Sequence, residues 1–170
     1  FCDRIHFYEI INNLFQNAAD AMNRKGSIHI ACLKDSKHKK TIVSIQDDGP
    51  GLNSQQLQKL FDAYYTTKNT NIHTGLGLYY CKNVMLKHKG SISAESIPGH
   101  GTVFLLTFPS IPPKEGNGRV CRKGKLTFRL DTFQDPVYYR TGCVNREMFF
   151  GIIIKYAHSR FGQTDFDGIK

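Results

Sequence analysis

No apolar run in the 170-residue chain approaches the roughly 18 residues that a membrane-spanning helix requires. The longest candidate, Met148-Phe-Phe-Gly-Ile-Ile-Ile154, has the length of a core segment. No basic-then-apolar stretch opens the chain, which argues against a signal segment. The chain begins on Phe1 rather than Met, as expected of a piece of something longer. There is no C-x-x-C pair either. Five cysteines (Cys2, Cys32, Cys81, Cys121 and Cys143) are scattered and odd in number. That excludes metal-ligand spacing and speaks against a disulfide framework. Buried or half-buried thiols in a reducing compartment are expected. Internal repeats are absent.

Acid is scarce beside base: 14 Asp+Glu against 23 Lys+Arg, a net charge of +9. An excess of this sign raises the question of nucleic acid. Residues 1–113 carry 12 basic and 8 acidic side chains, and residues 114–170 carry 11 and 6, so charge density is highest in the second part. Its basic residues are dispersed and form no nucleic-acid motif. A generally basic surface is the simpler reading, and no nucleic-acid partner is expected. The 40% apolar and 22% charged fractions are those of a folded domain.

Apolar residues Phe7, Ile11, Leu14, Ala18 and Met22 recur every three or four positions and predict a helix over 5–22. Gly26 suits a left-handed cap after it. Residues 27–33 and 41–47 alternate as a β-hairpin does. Ser54 is the expected N-cap of a short helix through Leu57, Leu60 and Phe61. A polar loop over 66–75 precedes a helix from Gly77 to Lys89, closed by Gly90. Two further strands are expected at 91–96 and 101–108. Pro109-Ser-Ile-Pro-Pro-Lys-Glu-Gly116 has a linker's composition. Beyond it, 125–131 alternates like a strand, and 145–161 fits helix or strand equally.

Three stretches hold residues that ordinary folding does not require. On the first helix, Glu9, Asn13 and Asn17 are spaced by four, with Asp20 near the end of the stripe. Asparagine is a poor helix-interior residue, so this is either a solvated face or a site. The strand ending Ile45-Gln-Asp-Asp-Gly-Pro-Gly51 places acids before a tight turn. An acid there either caps the turn or accepts from an exocyclic amine such as the adenine N6 group. Gly75-Leu-Gly-Leu78 precedes a helix, where exposed N–H groups suit phosphate oxygens. Lys68 adds a point charge nearby.

In order and spacing these stretches resemble a known family. Asn13-Leu-Phe-Gln-Asn17-Ala18 resembles its asparagine box, and Asp47-Asp-Gly49-Pro-Gly51 its first glycine box. Leu60-Phe61-Asp-Ala-Tyr-Tyr-Thr-Thr-Lys68 resembles the phenylalanine box, and Gly75-Leu76-Gly77-Leu78 the second glycine box. Gly99-His-Gly101-Thr102 resembles the terminal glycine element. Together they are similar to the ATP-binding catalytic domain of sensor histidine kinases, most like the nitrogen-regulation branch. The wider superfamily also holds gyrase, the large heat-shock chaperones and MutL.

The resemblance implies an α+β fold, a Bergerat-type two-layer sandwich. Its mixed, mostly antiparallel sheet carries three helices on one face, and an unassigned C-terminal tail follows. The domains would be 1–109 for the catalytic unit, 110–118 for a linker and 119–170 for a basic tail or small extra segment. ATP would lie under a lid spanning Asp62 to Thr74. Asn17 would coordinate Mg²⁺, with Asn13 on the phosphate side. Asp47 would accept from the adenine amine, and Gly49 and Gly51 would form the pocket wall. Gly75 and Gly77 would contact the phosphates and hinge the lid, with Leu76 and Leu78 beside them among the ATP-binding residues. Lys68 would reach the γ-phosphate, and Thr102 would lie near adenine. Asp48 has no implied role beyond facing solvent.

The implied activity is transfer of the ATP γ-phosphoryl group to a histidine on a dimerisation domain outside this chain, with a response regulator as the next partner. Hydrolysing members place a Glu base four residues before the metal asparagine; here that position is Asn13, which cannot take a proton. An ATP-hydrolysing module of the chaperone, gyrase or MutL type is therefore the alternative. His6 lies on the first helix, where it cannot serve as the incoming acceptor, so no catalytic side chain is assigned. The fragment is expected to be inactive alone. With no membrane segment of its own, it is expected in the cytoplasm, by itself or as part of a membrane-bound sensor.

Overall fold

A computed structural model of the chain describes residues 3–35, 37–68, 74–109 and, by backbone, 123–129. Part of the expected lid (69–73), the expected linker (110–118) and most of the tail lie outside the described residues. The elements run α1 (Arg4–Ala21), β1 (Ser27–Asp35), β2 (Lys40–Asp47), α2 (Ser54–Lys59), α3 (Gly77–Lys87), β3 (Ser91–Ser96), β4 (Thr102–Pro109) and β5 (Lys123–Arg129).

The strands form one sheet in the order β3-β4-β2-β1-β5, and all four pairings are antiparallel. The α+β class is as expected. The sheet is antiparallel throughout its described strands rather than mixed. Alternation assigns the faces. Ile28 and Ile30 of β1, Val43 and Ile45 of β2, and Phe104 and Leu106 of β4 are buried on one side. Registry places Ile30 opposite Ile45, Ile45 opposite Phe104, and Val43 opposite Leu106, so a continuous apolar patch crosses three strands.

Helix α1 covers that patch. Its stripe of Phe7, Ile10, Ile11, Leu14, Phe15 and Ala18 is buried, and Ile10, Ile11 and Leu14 reach 0% exposure. Asp3 caps the helix by accepting from Ile5 N at 2.8 Å and His6 N at 3.3 Å. α3 packs beside α1 through Cys81, Val84 and Met85. Burial drives the Cys81 thiol up to about 12, so it is an inert core group. His6 Nδ1 and His88 Nε2 meet at 3.3 Å and join the start of α1 to the end of α3.

Two local expectations need correction. Asn53, not Ser54, caps α2: its side chain accepts from Gln56 N while Gln56 Oε1 accepts from Asn53 N, a reciprocal capping box. After α1, Asn23 and Arg24 take the left-handed conformation ahead of Gly26. After α3, Lys89 does so, and Gly90 N closes the turn by donating to Met85 O at 2.8 Å.

Candidate functional site

The inward alternation Val43, Ile45, Asp47 sets a carboxylate where a third apolar side chain would sit, and Asp47 is only 5% exposed. Two backbone donors hold it: Gly49 N at 3.0 Å and Thr102 N at 3.2 Å, both on Oδ1. Oδ2 accepts no bond from the described residues, although no buried side-chain oxygen lacks a partner, so it opens to the adjoining cleft. Burial raises the Asp47 pKa above its ordinary value; the two backbone donors oppose this, and the neighbouring Asp48 charge adds to it.

Asp48, the other member of the pair, faces away. It is exposed, and its Oδ1 accepts from Ser27 N at 2.8 Å, tying the start of β1 to the end of β2. A Cβ on Gly26 would overlap that carboxylate oxygen. One acid faces the cleft and the other clamps the hairpin.

Along α1 the polar stripe is tightly bonded. Asn13 Nδ2 donates to Glu9 O at 2.9 Å, and the Glu9 carboxylate accepts from the Tyr80 hydroxyl of α3. Asn17 Oδ1 accepts from Lys68 Nζ at 3.1 Å, and the same ammonium reaches Asp20 Oδ2 at 2.9 Å. Gln16 Nε2 donates to Asp20 Oδ1 at 2.8 Å. A solvated face is thus the wrong description for this part of the helix.

Opposite the stripe, α3 starts without a side-chain cap: Leu76 is its N-cap and makes no such bond. Its first backbone N–H groups have no intrahelical acceptor and carry partial positive charge. Gly77 allows this end to approach α1, because a Cβ there would lie 2.6 Å from Asn13 Oδ1.

Between these elements lies a cleft of about 300 Å³. Asn13, Asn17, Asp47 and Thr102 line it from one side, and Lys68, Gly75, Gly77 and Leu78 from the other. Eight of the expected site residues are thereby brought together. Gly49, Gly51 and Leu76 are not in its lining. Gly49 acts through its bond to Asp47, whereas Gly51 packs on the backbone of Ile97 and Gly101. Gln16 and Asp20 also line the cleft and were not among the expected ligand contacts. Asp20 had a signal in its place near the end of the polar stripe, three residues after Asn17, whereas Gln16 lies off the four-residue spacing and had none.

The donor set fits a magnesium nucleotide. Asn17 already offers its oxygen to a cationic nitrogen, Asp47 keeps one oxygen for a donor in the cleft, and the start of α3 suits anions. A second hollow beside α2, lined by Leu52, Leu57 and Pro98 among others, has no ionisable side chain in its described lining.

Comparison with known proteins gives the same direction. A family model described as histidine kinase-, DNA gyrase B-, and HSP90-like ATPase matches residues 2–112. The chain is 38% identical over 101 residues to the sensor histidine kinase ZraS of Klebsiella oxytoca, covering 59% of this chain and 21% of ZraS. With the signal transduction histidine-protein kinase AtoS of Escherichia coli (strain K12) it shares 35% identity over 118 residues, 69% of this chain and 19% of AtoS. It therefore spans about a fifth of the length of these curated relatives. Among solved structures, the nucleotide-free catalytic domain of histidine kinase ThkA superposes with a TM-score of 0.54 at 31% identity, covering 65% of this chain and 71% of that one.

Proposed function

The chain belongs to the histidine kinase-, DNA gyrase B- and HSP90-like ATPase family, and from that membership we propose that it is the ATP-binding catalytic domain of a two-component sensor histidine kinase. In this reading the γ-phosphoryl group of ATP passes to a histidine presented by a dimerisation domain, and a response regulator receives it next. The parent protein would act in the cytoplasm, either free or attached to a membrane. Residues 1–109 form the domain, 110–118 link it, and β5 returns from 119–170 to the sheet edge. The observation that supports the reading most is the pairing across one cleft of a cation-bearing asparagine with a buried acid whose second oxygen is open.

Asp47 Oδ2 accepts from the amino edge of adenine, while Gly49 N and Thr102 N fix the carboxylate's orientation. Asn17 would hold Mg²⁺ through its side-chain oxygen, where the ion would supply charge neutralisation at the phosphates. The uncapped start of α3, at Gly77 and Leu78, faces phosphate oxygens. Lys68 contributes a compact positive charge for the γ-phosphate.

Asn13 occupies the place of the water-activating base in hydrolysing relatives. An amide takes no proton, and its nitrogen is committed to Glu9 O. Glu9, one turn earlier, is held by Tyr80. The chain thus positions ATP for an external acceptor rather than activating water, which suits phosphoryl transfer by orientation and charge neutralisation.

Titration with Mg-ATP is expected to show saturable binding. Adding a phosphoaccepting dimerisation hairpin from a related kinase is expected to yield acid-labile label from γ-labelled ATP, and the chain alone to stay unlabelled. Absence of saturable binding removes the nucleotide reading. Steady phosphate release without the hairpin moves the chain to the hydrolysing branch.

A further inference from the structure

We propose that Asp20 is a positioning residue that parks the Lys68 ammonium on Asn17, so that nucleotide binding begins as an exchange of one cation for another. The inference rests on the nucleotide reading above. Asn17 and Asp20 lie three residues apart on α1 and present their oxygens to the same nitrogen, at 3.1 and 2.9 Å. The Lys68 and Asp20 side chains are 27% and 19% exposed, so the pair is shielded more than an ordinary surface bridge. Gln16 holds the other Asp20 oxygen, which fixes the carboxylate's direction. Lys68 arrives from 48 residues further along the chain, and its own N–H is held by Thr66 Oγ1 at 3.1 Å.

A magnesium ion takes oxygen ligands at roughly 2.1 Å. An ammonium on the same amide oxygen places a second positive charge within a few ångströms of that ion. Two cations so close repel unless an anion separates them. Lys68 therefore leaves Asn17 as the metal arrives, and the triphosphate offers it more negative charge than Asp20 does. The parked arrangement lowers apparent nucleotide affinity by the fraction of molecules in which the asparagine is free.

Isothermal titration of the full chain with magnesium and the non-hydrolysable analogue AMP-PNP tests this. Asp20→Asn is expected to bind about fivefold more tightly than the unaltered chain, as when roughly one molecule in five is competent at rest. Removing a negative charge beside an anion would also tighten binding, so the cycle is completed with Lys68→Met and the double variant. In the Lys68→Met background, Asp20→Asn is expected to change affinity by less than about twofold. Equal tightening in both backgrounds, or weaker binding of Asp20→Asn, overturns the proposal. Unchanged affinity overturns it too while leaving the nucleotide reading intact, whereas an unaltered chain that does not bind at all removes both. Should Asp20→Asn fail to fold, the nucleotide-free Lys68→Met protein serves instead: the Asn17 side-chain amide resonances are expected to move, and unmoved resonances overturn the parked bridge.

Discussion

Asp47 carries a conflict between stability and binding. Its burial raises the pKa above the ordinary 3.8, so in the interval just above 3.8 the folded chain holds a proton that the unfolded chain has released. Its contribution to stability therefore declines as pH rises through that interval and is level above it. Asp47→Asn is expected to remove this slope, since an amide oxygen still accepts from Gly49 N and Thr102 N. Urea midpoints of the two proteins between pH 3.5 and 6 measure the difference, and identical slopes would count against the raised pKa. The same substitution is expected to weaken Mg-ATP binding by about 1–3 kcal/mol, because a charged acceptor for the adenine amine is lost. Unchanged affinity would remove Asp47 from the site. Gly77→Ala makes a separate case. Its Cβ would meet Asn13 Oδ1 at 2.6 Å and push that amide from its bond to Glu9 O. Nucleotide affinity is expected to fall several-fold with little change in melting temperature, and the reverse result would make Gly77 a packing residue only.

Turns and caps decide how the elements meet around the cleft. Gly101 has a φ of 81°, and a Cβ there would overlap the Asp47 carbonyl oxygen. Gly101→Ala is expected to destabilise the fold by on the order of 3 kcal/mol, combining strain with displacement of β2 from the start of β4. A denaturant curve within about 0.5 kcal/mol of the parent would contradict that account. Asn53→Ala is expected to cost about 1 kcal/mol through loss of the capping box on α2. Most elements were legible in the sequence because their periodicity is local: the α1 stripe and the β2 alternation need no partner to be read. The cleft's asparagines and glycines were legible through spacing. What stayed hidden depends on distant contacts. The partner of Asp48 is the Ser27 amide, 21 residues away, and the Lys68 bridge spans 48. The α2 cap was misplaced by one residue because Asn53 and Ser54 are both good capping types, and only Gln56 at the third helical position decides between them.

The sheet spreads these parts unequally over the molecule. The cleft gathers at one end of β2 and β4, the middle of the order, while β5 lies at the far edge against β1. The family match ends at residue 112, and β5 begins at Lys123, so this edge strand lies beyond the matched portion. Its registry runs from Ser27 opposite Arg129 to Leu33 opposite Lys123, which occupies the outer hydrogen-bonding groups of β1. Uncovered, those groups would form an open edge able to pair with another chain. Deleting residues 119–170 is therefore expected to accelerate amide exchange at alternate positions of β1 between Ser27 and Leu33 and to promote self-association at high concentration. Mg-ATP affinity is expected to stay within about twofold, because β5 is two strands removed from β2, whose end carries the cleft's Asp47. Exchange mass spectrometry and sedimentation of the truncated chain read the first two outcomes, and a titration reads the third. A truncated chain with unchanged β1 exchange would show that β5 adds no protection to this edge, and lost nucleotide binding would tie the edge strand to the site.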